Sequence, residues 1–108
     1  MNYTAADWLA ERWPNFSHSE LACSETGECE MDETFMDRLQ LLRDHYGHPL
    51  TITSGYRSPA HSTEVAKSSG PGTHAKGRAV DIACAGVDAY KVLTEALVCK
   101  FTVVGVKL

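Results

Sequence analysis

The sequence predicts a small α+β domain: an antiparallel sheet with helices packed on it. Three observations carry this. Apolar residues recur at helical spacing after Asp32, two short segments alternate as strands do ("LTITS" and "AVDIA"), and a long Gly/Pro-rich excursion separates those two strands. The chain has 108 residues, 44% of them hydrophobic and 22% charged, which suits one domain over residues 1–108 with a modest core.

The elements follow in order. Residues 3–13 predict a short helix that ends before Pro14, because proline disfavours helical geometry in the residue ahead of it. "SHSE" at 17–20 has the Ser-x-x-Glu form of a capping box, so Ser17 opens a helical turn carrying Leu21. From Asp32, the residues Phe35, Met36, Leu39, Leu42 and Tyr46 form one helical face, with Gly47 and Pro49 as the stop. Leu50 and Ile52 then lie on one face of a strand, and Thr51 and Thr53 on the other. Residues 55–78 make a long loop broken by a short helix near 59–66. "AVDIA" is the next strand, a helix from Gly86 buries Tyr90, Leu93 and Leu97, and "FTVVGVKL" reads as a last strand.

Composition excludes some classes of function. Net charge is −4 and the ten lysines and arginines are scattered, so no basic stripe exists to neutralise phosphates, and no nucleic-acid partner is expected. No apolar run is long enough to span a bilayer and the first residues lack a leader pattern, so no membrane partner is expected and the chain is read as cytoplasmic when synthesised. Cys23, Cys29, Cys84 and Cys99 are then read as free thiols. The spacing of Cys23 and Cys29 is too wide for a zinc ribbon.

Chemistry concentrates in two stretches. In "GTHAKGRAVDI", Val80 and Ile82 take the core face, so Asp81 points from the other face beside Ala79 and Ala83. There it can share a metal ion with His74, which arrives from a glycine-bounded loop. Spacing alone equally allows Asp81 to cap a loop or to pair with Arg78 or Arg57, leaving His74 an ordinary loop residue. In "TSGYRSPAH", Arg57 follows a strand end, where its guanidinium fork suits a carboxylate or a polarised carbonyl oxygen; pinning loop carbonyls is the structural alternative.

Together, "SGYRSPAH" and "HAKGRAVDI" resemble the zinc D-Ala-D-Ala carboxypeptidase family. That family includes vancomycin-resistance D,D-dipeptidases, bacterial D,D-carboxypeptidases and phage endolysins that cut the L-alanyl-D-glutamate bond; the hedgehog signalling domain shares its fold. The similarity runs from "NFSHSEL" at 15–21 to "FTVVGV" at 101–106. The family signature is Ser-x-His-x-x-Gly-x-Ala-x-Asp, and His74, Gly77, Ala79 and Asp81 fall on it in register.

The resemblance implies Zn²⁺ as cofactor, with His74 and Asp81 as its first two ligands. It implies Arg57 as the residue that binds substrate and stabilises the developing oxyanion, and a water on the metal as the group that attacks the peptide carbonyl. Gly72 replaces the signature serine, which leaves the adjacent Thr73 as a substrate-binding candidate. The family's third ligand is a histidine in a final strand, preceded closely by a carboxylate base, and neither has a counterpart before "GVKL".

The reading is therefore of a chain that ends before that strand and is inactive unless another group substitutes. His61 is the candidate third ligand, ahead of His18, His45 and His48, and Glu64 a remote candidate base. A missing strand would also leave the edge of "FTVVGVKL" open to pairing with a second copy.

The function expected is thus a zinc peptidase, of phage or prophage type, acting on peptidoglycan stem peptides at the bacterial cell wall. The alternatives are a non-catalytic module that binds peptide or wall fragments, and a phage structural component that retains only the fold.

Overall fold

A computed structural model describes residues 2–66, 72–83 and 105–107. Its elements are α1 (His18–Leu21), α2 (Glu33–Tyr46), β1 (Thr51–Ser54), α3 (Ser62–Val65), a 3-10 turn (Thr73–Lys76), β2 (Asp81–Ala83) and β3 (Gly105–Lys107). The helix expected from Gly86, with Tyr90, Leu93 and Leu97, lies outside the described residues, as do Cys84 and Cys99. No helix among the described residues is long and apolar enough to cross a membrane.

Local chemistry explains the two N-terminal helices. Ser17 accepts from the Glu20 backbone N–H and the Glu20 carboxylate accepts from the Ser17 N–H, so both halves of the capping box that opens α1 are formed. Asp32 caps α2 by accepting from the Phe35 N–H at 2.8 Å, and Gly47 ends it in the left-handed conformation at φ 78°, which glycine adopts without a Cβ penalty. The expected face of α2 is the buried one: Phe35, Met36, Leu39 and Leu42 meet Leu21, Leu50, Val80 and Ile82 in a single core.

The N-terminal segment differs from the helix its sequence predicts. Residues 5–7 and 10–12 form turns, and the aromatic side chains decide the geometry. Trp13 is fully buried and donates its indole N–H to Asp37 at 2.9 Å, while Trp8 donates to the Phe16 carbonyl at 2.9 Å. Tyr3 meets both rings edge-on, with centroids 5.6 and 5.9 Å away. Irregular backbone lets Tyr3 and Trp13 bond Glu33 and Asp37 at the start of α2 with Trp8 packed on both rings, and tertiary packing overrides a weak local helical preference.

The sheet has the order β1-β2-β3. β1 and β2 are antiparallel, as expected, with a bulge between Ile52 and Ser54 that sets Ser54 opposite Asp81. β3 is parallel to β2, so the sheet is mixed. Parallel neighbours need a long crossover, and the chain between Ala83 and Gly105 has the length for one.

Candidate active site

The sheet delivers the predicted alternation. Val80 and Ile82 are buried in the core, so Asp81 projects from the opposite side of β2. His74 arrives on the 3-10 turn, which Gly77 closes at φ +70°. A Cβ at position 77 would sit 2.1 Å from the Glu30 carbonyl oxygen, and the Gly77 carbonyl accepts the Asp32 N–H at 2.9 Å. The signature glycine therefore allows the loop that carries His74 to press against the segment that caps α2.

Three side chains converge. Asp81 accepts from Arg57 Nη2 through Oδ2 at 3.3 Å, and its Oδ1 lies 3.6 Å from His74 Nε2. Their side chains are 18%, 12% and 14% exposed for Arg57, His74 and Asp81, so the group is largely removed from water and its charges act at short range. Arg57 is oriented by its Nε–H, which donates to Ser54 Oγ at 3.3 Å, and by its backbone N–H, which donates to the His74 carbonyl at 3.2 Å. The ion pair with Arg57, one of the alternatives open from sequence, thus coexists with the His74–Asp81 approach.

The tautomer of His74 follows from its partner. Nδ1 lies 2.8 Å from the Gly55 carbonyl oxygen, which can only accept, so Nδ1 donates there and Nε2 is the ring nitrogen turned towards Asp81. Gly55 is itself confined, since a Cβ there would lie 2.7 Å from the Leu21 backbone, and the Tyr56 N–H donates to the Leu21 carbonyl at 2.7 Å. The end of α1 thereby positions the carbonyl that orients the imidazole.

The donor set suits zinc as far as it goes. Zinc–nitrogen and zinc–oxygen bonds of about 2.0–2.2 Å place two donors of a tetrahedral site about 3.4 Å apart. The 3.6 Å between His74 Nε2 and Asp81 Oδ1 is close to that separation, and too long for a strong hydrogen bond. The backbone bond at Nδ1 is the outer support that metal-bound histidines commonly have. Among the described residues no cluster of three or more His, Cys, Asp or Glu side chains is formed, so His74 and Asp81 stand as a pair of donors without a third beside them.

The other candidates fall elsewhere. His61 accepts the Thr63 N–H at Nδ1, 3.1 Å away, and directs Nε2 to Glu25 at 3.1 Å, so both ring nitrogens are engaged away from His74 and Asp81. His18 donates from Nε2 to the Tyr3 carbonyl at 2.8 Å, and His48 stacks edge-on against Tyr46. Thr73 opens the 3-10 turn; its side chain and that of Glu64 lie outside what the structure describes.

Ser54 and Gly55 were within the motif that drew attention to Arg57, but their roles needed the fold. A cavity of about 470 Å³ adjoins Arg57 and is lined also by Ile52, Ser54, His18, Glu20 and Cys23. Its size suits a short peptide or a small ligand.

The family model for peptidase M15 matches residues 14–107, nearly the whole chain and all of the site just described. The chain belongs to the peptidase M15 family. Neither a curated protein nor a solved structure matches it. Peptidases of this family are zinc-dependent and act on peptidoglycan-type substrates, which makes the chain a metallopeptidase by descent. His74 and Asp81, which carried the resemblance in sequence, are the two side chains placed within reach of one ion.

Proposed function

We propose that this M15 chain is a zinc peptidase of peptidoglycan stem peptides, of the D,D-carboxypeptidase or L-alanyl-D-glutamate endopeptidase type, acting at the bacterial cell wall. The approach of His74 Nε2 to Asp81 Oδ1, with the imidazole oriented through Nδ1 by the Gly55 carbonyl, carries this reading. Zinc, when bound, supplies Lewis acidity and makes water a nucleophile at neutral pH.

The rest is the work of the chain. His74 presents a lone pair fixed by Gly55, and Asp81 presents one oxygen while its other is held by Arg57. Arg57 lies between the cavity and Asp81, where its charge can take a substrate carboxylate or the carbonyl oxygen that gains charge as the peptide is attacked. Ser54 holds the guanidinium in the direction this needs.

The test pairs zinc content with cleavage of defined muropeptides, for the wild type and His74→Ala. Near-stoichiometric zinc and cleavage, both lost in the variant, are expected. A second reading, a wall-peptide binding module without catalysis, is favoured by the absence of a third ligand among the described residues. Muropeptide binding without any cleavage by the zinc-loaded wild type would establish that reading and overturn the first.

A further inference from the structure

Arg57 leads into a turn that is fastened to a different part of the chain, and one carboxylate does most of the fastening. Glu25 lies in the loop between α1 and α2. Its Oε1 accepts the Ser62 N–H at 3.1 Å, and its Oε2 accepts the Ser62 hydroxyl at 2.7 Å and faces His61 Nε2 at 3.1 Å. The first N–H groups of a helix have no partner within it, so Glu25 caps α3 from a distant position in sequence. These bonds, that of the Ser62 hydroxyl foremost, hold the Glu25 carboxyl below its ordinary range.

A second attachment lies beside the first. Burial pushes the Cys23 thiol up, but bonds from the Thr26 hydroxyl and from the backbone N–H groups of Ser58, Glu25 and Thr26 outweigh it and bring the thiol below its ordinary value. The Ser58 bond ties the residue after Arg57 to the same loop. Between Ser58 and Ser62 the chain is compact: the Ala60 N–H donates to Ser58 Oγ at 3.2 Å and the His61 N–H to the Ser58 carbonyl at 2.8 Å. Ser58 is 3% exposed, so displacement at Ser62 reaches Arg57 through a packed turn with little slack.

We infer that Glu25 is a positioning residue for the active site: by latching the Ser58–Ser62 turn to the loop that bears Cys23, it fixes the backbone of Arg57 and the width of the adjoining cavity. Cys23 and Arg57 both line that cavity, and the latch joins the two chain segments that carry them. The effect on substrate rests on the peptidase reading above; the effect on Arg57 does not.

The experiment compares wild type, Glu25→Ala, Glu25→Gln and Ser62→Ala by residue-resolved amide exchange, and by steady-state cleavage of a stem peptide. Glu25 is largely exposed, and an unchanged unfolding transition would show that the variants remain folded. In Glu25→Ala, exchange at Arg57, Ser58 and Ser62 should accelerate about tenfold while the α2 amides of Leu39 and Leu42 stay protected. KM should rise about fivefold with kcat within about twofold, because the latch acts on binding through Arg57.

Glu25→Gln, which keeps an acceptor for the Ser62 N–H, should recover most of both effects, and Ser62→Ala should fall between. Faster exchange confined to residues 62–66, or a KM that does not move while exchange at Arg57 does, would overturn the proposal. A wild type that cleaves no stem peptide sinks the peptidase reading, and the exchange at Arg57 still decides the latch.

Discussion

The two ends of this molecule solve the problem of polar groups in opposite ways. Around α2 and the N-terminal aromatic residues, the interior is apolar and the charges sit on the rim: Arg12 bridges Glu33 and Asp37 with side chains 43–46% exposed. Around β1 and β2, Arg57, Asp81 and His74 are less than half as exposed and bond to one another and to backbone. Rim ion pairs contribute little to stability, whereas an unpaired charge in a nearly buried site is costly. The aromatic end therefore gains little from its ion pairs beyond its apolar packing, and the sheet end holds an arrangement whose benefit is chemical.

Gly77→Ala should break both ends at once, since its Cβ meets the Glu30 carbonyl and the Asp32 N–H, and φ is +70°. A loss above about 3 kcal/mol is expected in denaturant unfolding, together with loss of zinc. Trp13→Ala tests the aromatic end alone. It empties a fully buried site and removes one of the donors to Asp37, and should cost about 3–5 kcal/mol; a shift under about 1 kcal/mol would contradict this division.

His74→Ala is the reciprocal test. It should abolish zinc binding measured by elemental analysis, while shifting apo-protein stability by under about 1 kcal/mol, because it removes one side-chain-to-backbone bond and no core contact. Asp32→Ala removes the cap of α2 and should cost about 1 kcal/mol without altering zinc content.

Acid provides the mildest probe. Glu33 is held low by the Tyr3 hydroxyl and Arg12, Asp37 by Arg12 and Trp13, and Glu25 by Ser62. Folded-state values below the unfolded ones mean that this stability is present above the ordinary carboxylate range and is lost as pH falls below about 4.5 through the folded values. The Arg12→Ala variant should show a shallower loss across that window.

Sequence was most informative where a bond is local. The capping box at Ser17, the Asp32 and Gly47 ends of α2 and the alternation about Asp81 all depend on neighbours within four residues, and each was legible. So was the register of His74 and Asp81, through the signature. The segment 3–13 misled because Tyr3 and Trp13 choose partners in α2, more than twenty residues away, and Trp8 bonds the Phe16 carbonyl. The Glu25–Ser62 latch joins positions 37 apart with no periodicity to announce it. The parallel placement of β3 beside β2 was missed although the expected order of strand, helix and strand after Ala79 is the one a parallel pair requires.

The bond from His74 to the Gly55 carbonyl has a thermodynamic corollary. Both donors are held in orientation by bonds within the protein, so little side-chain freedom remains to be lost when an ion arrives. Metal uptake should then show a small entropic penalty and fast, single-phase kinetics. The described residues offer two donors, and supplying one more near Asp81 should strengthen binding without any rearrangement of the loop.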